Sequence, residues 1–543
     1  MEAVTLPSAA HGDRRKLSRR QVLTGGAALG VLGPLGGCTS DAAANGRVAP
    51  DGLAVEQAAA QRRAASARVR QSTLTARAGP VDLGGRTVRT WSYGDGVPGP
   101  LLRGSAGEVL RVRVDNRLPQ PTTVHWHGLA IRNDMDGVPN LTQPEIEPGA
   151  GMDYEFVLPT PGTYFYHAHH GVQRERGLYG PLIIDDPAEP GDYDNEFVVV
   201  LDDWTDGTAV GSGPEDILRY LQAGGFGAKY RAPVTAGEVP TAVAPDAPMG
   251  APAPLVTQLA GDVQYPFHLL NGRLPTAPHT FTARPGRRAR IRVINASGAT
   301  VYRVALGDHR LTVTHSDGYP VQPVTVDTLR IASGERYDLA VTLGDGAFPL
   351  AAVAEGKGAQ AMGVVRTASG ATPPAGVQPA ELGRRMLSLA DLQALPEVRL
   401  DTPRPAGHDV YLTGDMSAYG WRINAETYDA ADPFAGITPV PVRSGDHVRL
   451  TLINQTPAFH PMHLHGHTVQ VRAIGTNRAR YDARDGGGDS PLPAGARKDT
   501  VQVAPGQRIA VDFVADNPGQ WLHHCHNAYH LAAGMAHIVS YQT

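Results

Sequence analysis

Near its C-terminus the chain carries a run of residues able to hold a soft metal: His524-Cys525-His526, then His530, then Met535. Side chains alternate faces along an extended strand, so Cys525 points one way and His524 and His526 the other. A thiolate, an imidazole and a thioether at this spacing form the ligand set of a mononuclear blue copper site. The flanking histidines then face a second metal centre, joined to the first through one tripeptide. Cys525 is one of only two cysteines, the other being Cys38, and has no evident disulfide partner. A His-rich loop that binds zinc, or nothing, would account for this run alone.

Three further pairs argue against the isolated loop. The chain has 21 histidines, and they cluster as His125-Trp126-His127, His167-Ala168-His169 and His460-Pro461-Met462-His463-Leu464-His465. His-x-His on a strand puts two imidazoles on one face, with alpha carbons about 6.6 Å apart. Such a pair chelates one metal or hands one nitrogen to each of two. The pairs 125/127, 167/169, 463/465 and 524/526 supply more imidazoles than one copper takes, and suit a cluster of three ions. His460, Cys525, His530 and Met535 remain for the mononuclear site. His170, His467, His523 and His537 border the motifs but exceed the ligand count. The isolated His268, His279, His309 and His315 read as structural or exposed.

Converging strands are needed to bring these pairs together. Gly107 to Asn116, Gly286 to Asn295 and Gly445 to Asn454 each read as an alternating strand that opens on Gly and closes on Asn. A second element follows each copy: Tyr154-Glu155-Phe156, Tyr337-Asp338-Leu339 and Val511-Asp512-Phe513. A repeated pair in fixed order, with 63 Gly and 45 Pro for turns, predicts an all-β chain of three related Greek-key β-sandwich domains. The expected spans are 71–190, 191–375 and 376–543, with a tether over 39–70. The Gly/Pro/Ala-rich stretch 205–254 reads as an excursion with a short helix around Glu215–Gln222.

The first residues form a targeting segment. Ser18-Arg19-Arg20-Gln21-Val22-Leu23 precedes an apolar, Gly-rich run too short to span a membrane. The paired arginines point to the twin-arginine translocase as an export partner. Leu35-Gly36-Gly37-Cys38 resembles a lipoprotein cleavage site, so residues 1–38 read as a leader. A lipid on Cys38 would be the only membrane attachment, in the cell envelope or outside the cell. The mature chain then keeps one cysteine in an oxidising compartment, where metal ligation gives it a use. A net charge of -4 gives no sign of nucleic-acid binding.

These motifs resemble the four copper-binding motifs of the three-domain multicopper oxidases, which include laccases, ascorbate oxidase and bacterial copper-tolerance oxidases. The resemblance covers nearly the whole mature chain, and the leader with Asn133-Asp134-Met135-Asp136-Gly137 makes it most similar to actinobacterial members. It implies three cupredoxin-like domains, with four copper ions in the first and third. It places His125 and His463 on type 2 copper, and His127, His167, His169, His465, His524 and His526 on the type 3 pair. His460, Cys525, His530 and Met535 would bind type 1 copper, with Cys525 passing electrons to the cluster for the four-electron reduction of O2 to water. Asp136 resembles a proton-relay carboxylate, although a turn-capping role fits it equally. Asp499 reads as a residue behind the type 1 ligands, and a loop-capping role fits it equally. The stretch 527–533 lacks the carboxylate many bacterial relatives carry, which leaves a second proton route unassigned.

The reductant is then a phenol or small aromatic, or Cu(I) or Fe(II) in metal protection. The nine methionines are dispersed, without the Met-rich insert of specialised cuprous oxidases. A copper nitrite reductase or a cupredoxin-type electron carrier would use the mononuclear ligands but leave the other eight histidines unexplained.

Overall fold

The computed structural model describes residues 46–64, 67–189, 192–209, 211–225, 227–233, 241–242, 260–415, 418–476 and 489–543. The leader, with Cys38, lies outside them, as does much of the 205–254 excursion. The described residues fold as successive pairs of β-sheets. Two four-stranded sheets use strands between Val69 and Asp185, and a six- and a five-stranded sheet use strands between Asn195 and Arg366. A seven- and a five-stranded sheet use strands between Ala406 and Tyr541. Each pair closes over its own apolar core, around Val112 and Trp126, around Ile291 and Leu339, and around Leu450 and Trp521.

The repeat has a physical cause. Strands Val109–Arg117, Arg288–Asn295 and His447–Asn454 each pair antiparallel with Gly151–Val157, Arg336–Thr342 and Gln507–Val514, and parallel with Val69–Asp82, Asn195–Trp204 and Ala406–Asp415. The closing asparagines are buried caps. Asn116 Nδ2 donates to Ile146 O at 2.7 Å, Asn295 Nδ2 to Ile331 O at 2.9 Å and Asn454 Nδ2 to Val503 O at 3.1 Å. Each Oδ1 accepts from the backbone N–H two residues on. Asn thus turns the chain and satisfies a carbonyl of another segment in the same move.

Two expectations change. The expected tether is docked where it is described: Val48 and Val55 are buried, and Val48 N donates to Tyr541 O at 2.9 Å. The helix Leu53–Arg62 ends with Arg62 Nη1 donating to Ala130 O at 2.9 Å and Asn517 Oδ1 at 3.1 Å. Its apolar residues and terminal Arg give it partners that a free linker lacks. The stretch after 376, expected to open the third domain, packs first on the second core through Leu387 and Leu392. Helix Pro214–Gly224 contains the helix expected in the excursion, with Pro214 at its start and Ile217 and Leu221 buried one turn apart. No helix among the described residues is long and apolar enough to cross a membrane.

Arg62→Ala is expected to cost about 1 kcal/mol by removing the donor to two part-buried acceptors. A lowered thermal midpoint with unchanged visible absorption is the result to look for.

Candidate metal centres

Strand register assembles the site. Gln520–Cys525 lies between Ala536–Tyr541 and His460–Leu464, with Met462 opposite Cys525 and His463 opposite His524. Residues directly opposite share a face, so His463 joins His524 on one side and His460 joins Cys525 on the other. In the first sandwich, His125 lies opposite His167. The two arrays meet with ring centroids 3.8 Å apart for His125–His465 and for His127–His463.

Hydrogen bonds leave one bare nitrogen on most of these rings. Nδ1–H donates to Asp136 O from His125 (2.8 Å), Ala168 O from His167 (2.9 Å), Asp499 O from His463 (2.9 Å), Asp136 Oδ2 from His465 (2.8 Å) and Cys525 O from His524 (2.8 Å). His127 is reversed, with Nε2–H donating to Asp499 Oδ1 at 3.1 Å. The opposite nitrogens point inward: His127 Nδ1, His167 Nε2 and His169 Nε2 are buried with no hydrogen-bond partner, and His465 Nε2 and His524 Nε2 face each other at 3.0 Å. Burial pushes His127, His167, His169, His465, His524 and His526 below the ordinary histidine value, so the rings are neutral. Neutral imidazoles with an orphaned inward nitrogen are metal ligands in waiting.

The second centre lies across the strand. Cys525 Sγ is 3.5 Å from Nδ1 of both His460 and His530, which are 3.1 Å apart. Ligand atoms about 2 Å from one metal have about this mutual spacing. His460 Nε2–H donates to Thr456 Oγ1 at 2.7 Å and His530 Nε2–H to Asp262 Oδ2 at 2.9 Å, leaving both Nδ1 atoms free for the centre. Met535 is fully buried, and its backbone bonds to Cys525 and His530. Burial pushes the Cys525 thiol up to about 12, so a thiolate here needs a bound cation. The donor sets fit copper at both centres.

Asp136 is fully buried against His465 and His125. The loop that carries it lies on strand Val124–His127 because Gly137 adopts φ +89°, and a Cβ there would meet Val124 O at 2.0 Å. Asp499, expected beside His460, Cys525 and His530, instead contacts His127 and His463. Thr500 lies opposite His463 and shares its face, with Oγ1 3.1 Å from His127 Nε2, while Asp499 sits in the break between strands Arg497–Lys498 and Thr500–Val503, outside the alternation, and reaches the same ring with Oδ1 at 3.1 Å. Arg336 and the hydrogen bonds from His127 and His463 outweigh burial and hold its carboxyl well below the usual range.

Sequence reasoning missed Arg174, whose Nη1 lies 2.8 Å from Nδ1 and 3.0 Å from Nε2 of His526, and also Ser333, Arg336 and Asp262. Their contacts join segments far apart in the chain, and no local motif marks them. The region 527–533 holds no carboxylate, but buried Glu175 neighbours Tyr529 and accepts from Tyr265 Oη at 2.8 Å. His523 and His537 bond each other at 2.6 Å, Tyr541 Oη donates to His467 Nε2 while His467 Nδ1 donates to His465 O, and His170 pairs with Glu145.

Family models described as multicopper oxidase match residues 75–189, 246–369 and 401–543. The chain is 42% identical to multicopper oxidase MmcO of Mycobacterium tuberculosis over 97% of each chain. It is 28% identical to copper resistance protein A of Escherichia coli, over 96% of this chain and 98% of that one. A laccase structure from Botrytis aclada superposes with a TM-score of 0.68 at 26% identity, covering 87% of this chain and 88% of that one.

Burial, then Asp203, pushes the Glu175 carboxyl up from 4.5 to about 8. The folded chain therefore favours its protonated form, and that contribution to stability is full below about 4.5 and fades as pH rises through about 8. Glu175→Gln is always neutral. Thermal midpoints of both proteins from pH 5 to 9 should show the wild type losing more stability than the variant.

Proposed function

The chain belongs to the multicopper oxidases, copper-dependent oxidoreductases that pass electrons from a reductant to O2, and on that premise we propose the role of each metal ligand and the class of reductant. His460, Cys525, His530 and Met535 hold type 1 copper. His125 and His463 hold type 2, and His127, His167, His169, His465, His524 and His526 hold the type 3 pair. The observation that carries this reading is the gathering of buried imidazoles, with His127 Nδ1, His167 Nε2 and His169 Nε2 unpartnered, beside the face of the strand that carries His524, whose other face presents Cys525. Bound copper supplies one-electron carriers at both centres, which no side chain here can replace.

The protein supplies the path and the protons. Cys525 is bonded through the backbone to both flanking ligands, and its own carbonyl accepts from His524 Nδ1 at 2.8 Å, so a covalent route and a hydrogen-bonded one run from the thiol to the cluster. Asp136 orients His125 and His465 and is placed to deliver protons where oxygen is reduced.

The reductant is a small cation, Cu(I) or Fe(II), in preference to a phenol. His530 Nε2, the outer edge of the type 1 site, is capped by buried Asp262, which also takes Tyr419 Oη at 2.8 Å and Lys229 Nζ at 3.3 Å. The electron-entry edge ends in a carboxylate shared with Lys229 rather than in an open aromatic face, which suits a small cation, while the buried imidazole gives an aromatic ring no face to stack on. The leader supports twin-arginine export, and Cys38 supports a lipid anchor, which Cys38→Ala would abolish in the mass of the exported protein.

Oxygen uptake by the copper-loaded chain on Cu(I), Fe(II) and a phenol tests the reductant. Asp262→Asn should lower kcat/KM about tenfold, or about 1.4 kcal/mol, for the metal ions and far less for the phenol; a phenol preference in the wild type, or an equal loss on all three, would refute it. Cys525→Ser should abolish the blue absorption and the oxygen uptake while copper remains in the cluster.

A further inference from the structure

The middle sandwich supplies none of the proposed copper ligands, yet one of its turns reaches the cluster. The turn joins strands Leu329–Ile331 and Arg336–Thr342 and presents Ser333, Gly334 and Arg336, all buried. Ser333 Oγ donates to Ser297 O and lies 2.9 Å from His526 Nδ1. Gly334 adopts φ +90°, and a Cβ on it would lie 3.0 Å from His526 Cγ and 3.1 Å from His127 Cε1. The bare backbone of the turn thus rests on two cluster rings at once.

Arg336 completes the contact. Its Nη1 and Nη2 donate to Asp499 Oδ1 and Oδ2 at 2.7 and 2.6 Å, a two-pronged ion pair with both side chains fully buried. Nε donates to Thr163 O of the first sandwich at 3.0 Å, and Nη1 also to Gly334 O at 2.9 Å. Asp499 in turn accepts from His127 Nε2 through Oδ1 and from His463 Nδ1 through its carbonyl. One arginine therefore joins all three sandwiches at the point where the rings of His127 and His463 are stacked.

We propose that Ser333, Gly334 and Arg336 of the middle sandwich are positioning residues for the three-copper cluster, holding the ring of His526 in place and fixing which nitrogen of His127 and His463 faces the metal. Ser333 Oγ holds the ring of His526 by Nδ1 at 2.9 Å, on a ring that Arg174 Nη1 also touches. The Arg336–Asp499 pair takes the Nε2 proton of His127 and leaves Nδ1, and takes the Nδ1 proton of His463 and leaves Nε2. Gly334 lets the turn come close enough to do both. The inference rests on the ligand assignment above.

The test is graded removal of copper by a chelator from the full copper-loaded chain. The blue absorption reports type 1 copper, while paramagnetic resonance and total metal report the cluster. Ser333→Ala removes one hydroxyl, and Arg336→Lys keeps the charge but loses the fork. In both variants the cluster should empty at a chelator concentration about tenfold or more below that of the wild type, with the type 1 site unmoved. Cluster and type 1 copper leaving at wild-type concentrations, or both shifting together as in general destabilisation, would overturn the proposal. A wild-type chain that binds fewer than four coppers would instead refute the ligand assignment beneath it, so the two failures are told apart before any variant is made.

Discussion

A side chain on a strand can face only one of two ways, and along Gln520–Cys525 that constraint separates the thiol from the imidazoles beside it. Everything near the metals follows from it. Cross-strand register carries the same division to His460–Leu464, where His463 stands with His524 and Met462 with Cys525. A slip of one residue would exchange the two faces and dismantle both centres together. The seven-stranded sheet and the buried Trp521 hold that register by packing rather than by any contact with the ligands.

Burial then sets the second requirement. Imidazoles removed from water are neutral, and a neutral imidazole has one proton that needs an acceptor. The chain meets this with backbone carbonyls at Asp136, Ala168, Asp499 and Cys525, and with the carboxylates of Asp136, Asp499 and Asp262. A buried carboxylate is costly without a partner. Asp499 has Arg336, and Asp262 has Lys229 and Tyr419. The charges around the site are thus a consequence of hiding histidines, and they tie the middle sandwich to the two that carry the His-x-His pairs.

Much of this was legible in the residues. The four His-x-His pairs announce strands by their spacing alone. The Asn at the close of three similar segments marks the same turn in each sandwich because only a short amide can cap the turn and reach the neighbouring carbonyl. Asp136 was singled out by the resemblance of the stretch Asp136-Gly137-Val138-Pro139, with a turn cap equally open, and its contacts with His125 and His465 depend on pairing between sandwiches. Asp499 was found but given other neighbours, because it sits in the break between two short strands, where strand alternation does not fix the direction of a side chain. Arg174, Ser333 and Arg336 meet their partners across sandwich boundaries, where spacing carries no information. Asp262 follows an excursion whose composition announced a loop and nothing about its target. The docked stretch before Val69 looked like a linker because its composition, rich in Ala and Gln, hides the few residues that anchor it.

The two centres differ in how much chain they enclose. His460 and His530 of the mononuclear site are 70 residues apart, both within the last sandwich, whereas His125 and His463 of the cluster are separated by 338. Contacts between distant segments form late, since the intervening chain must first give up its freedom. Assembly is therefore ordered in time. The thiol and its two imidazoles can meet as soon as the third sandwich folds, while the cluster waits until the first and third have docked. A nascent chain would own a complete mononuclear site before it owned any place to reduce oxygen.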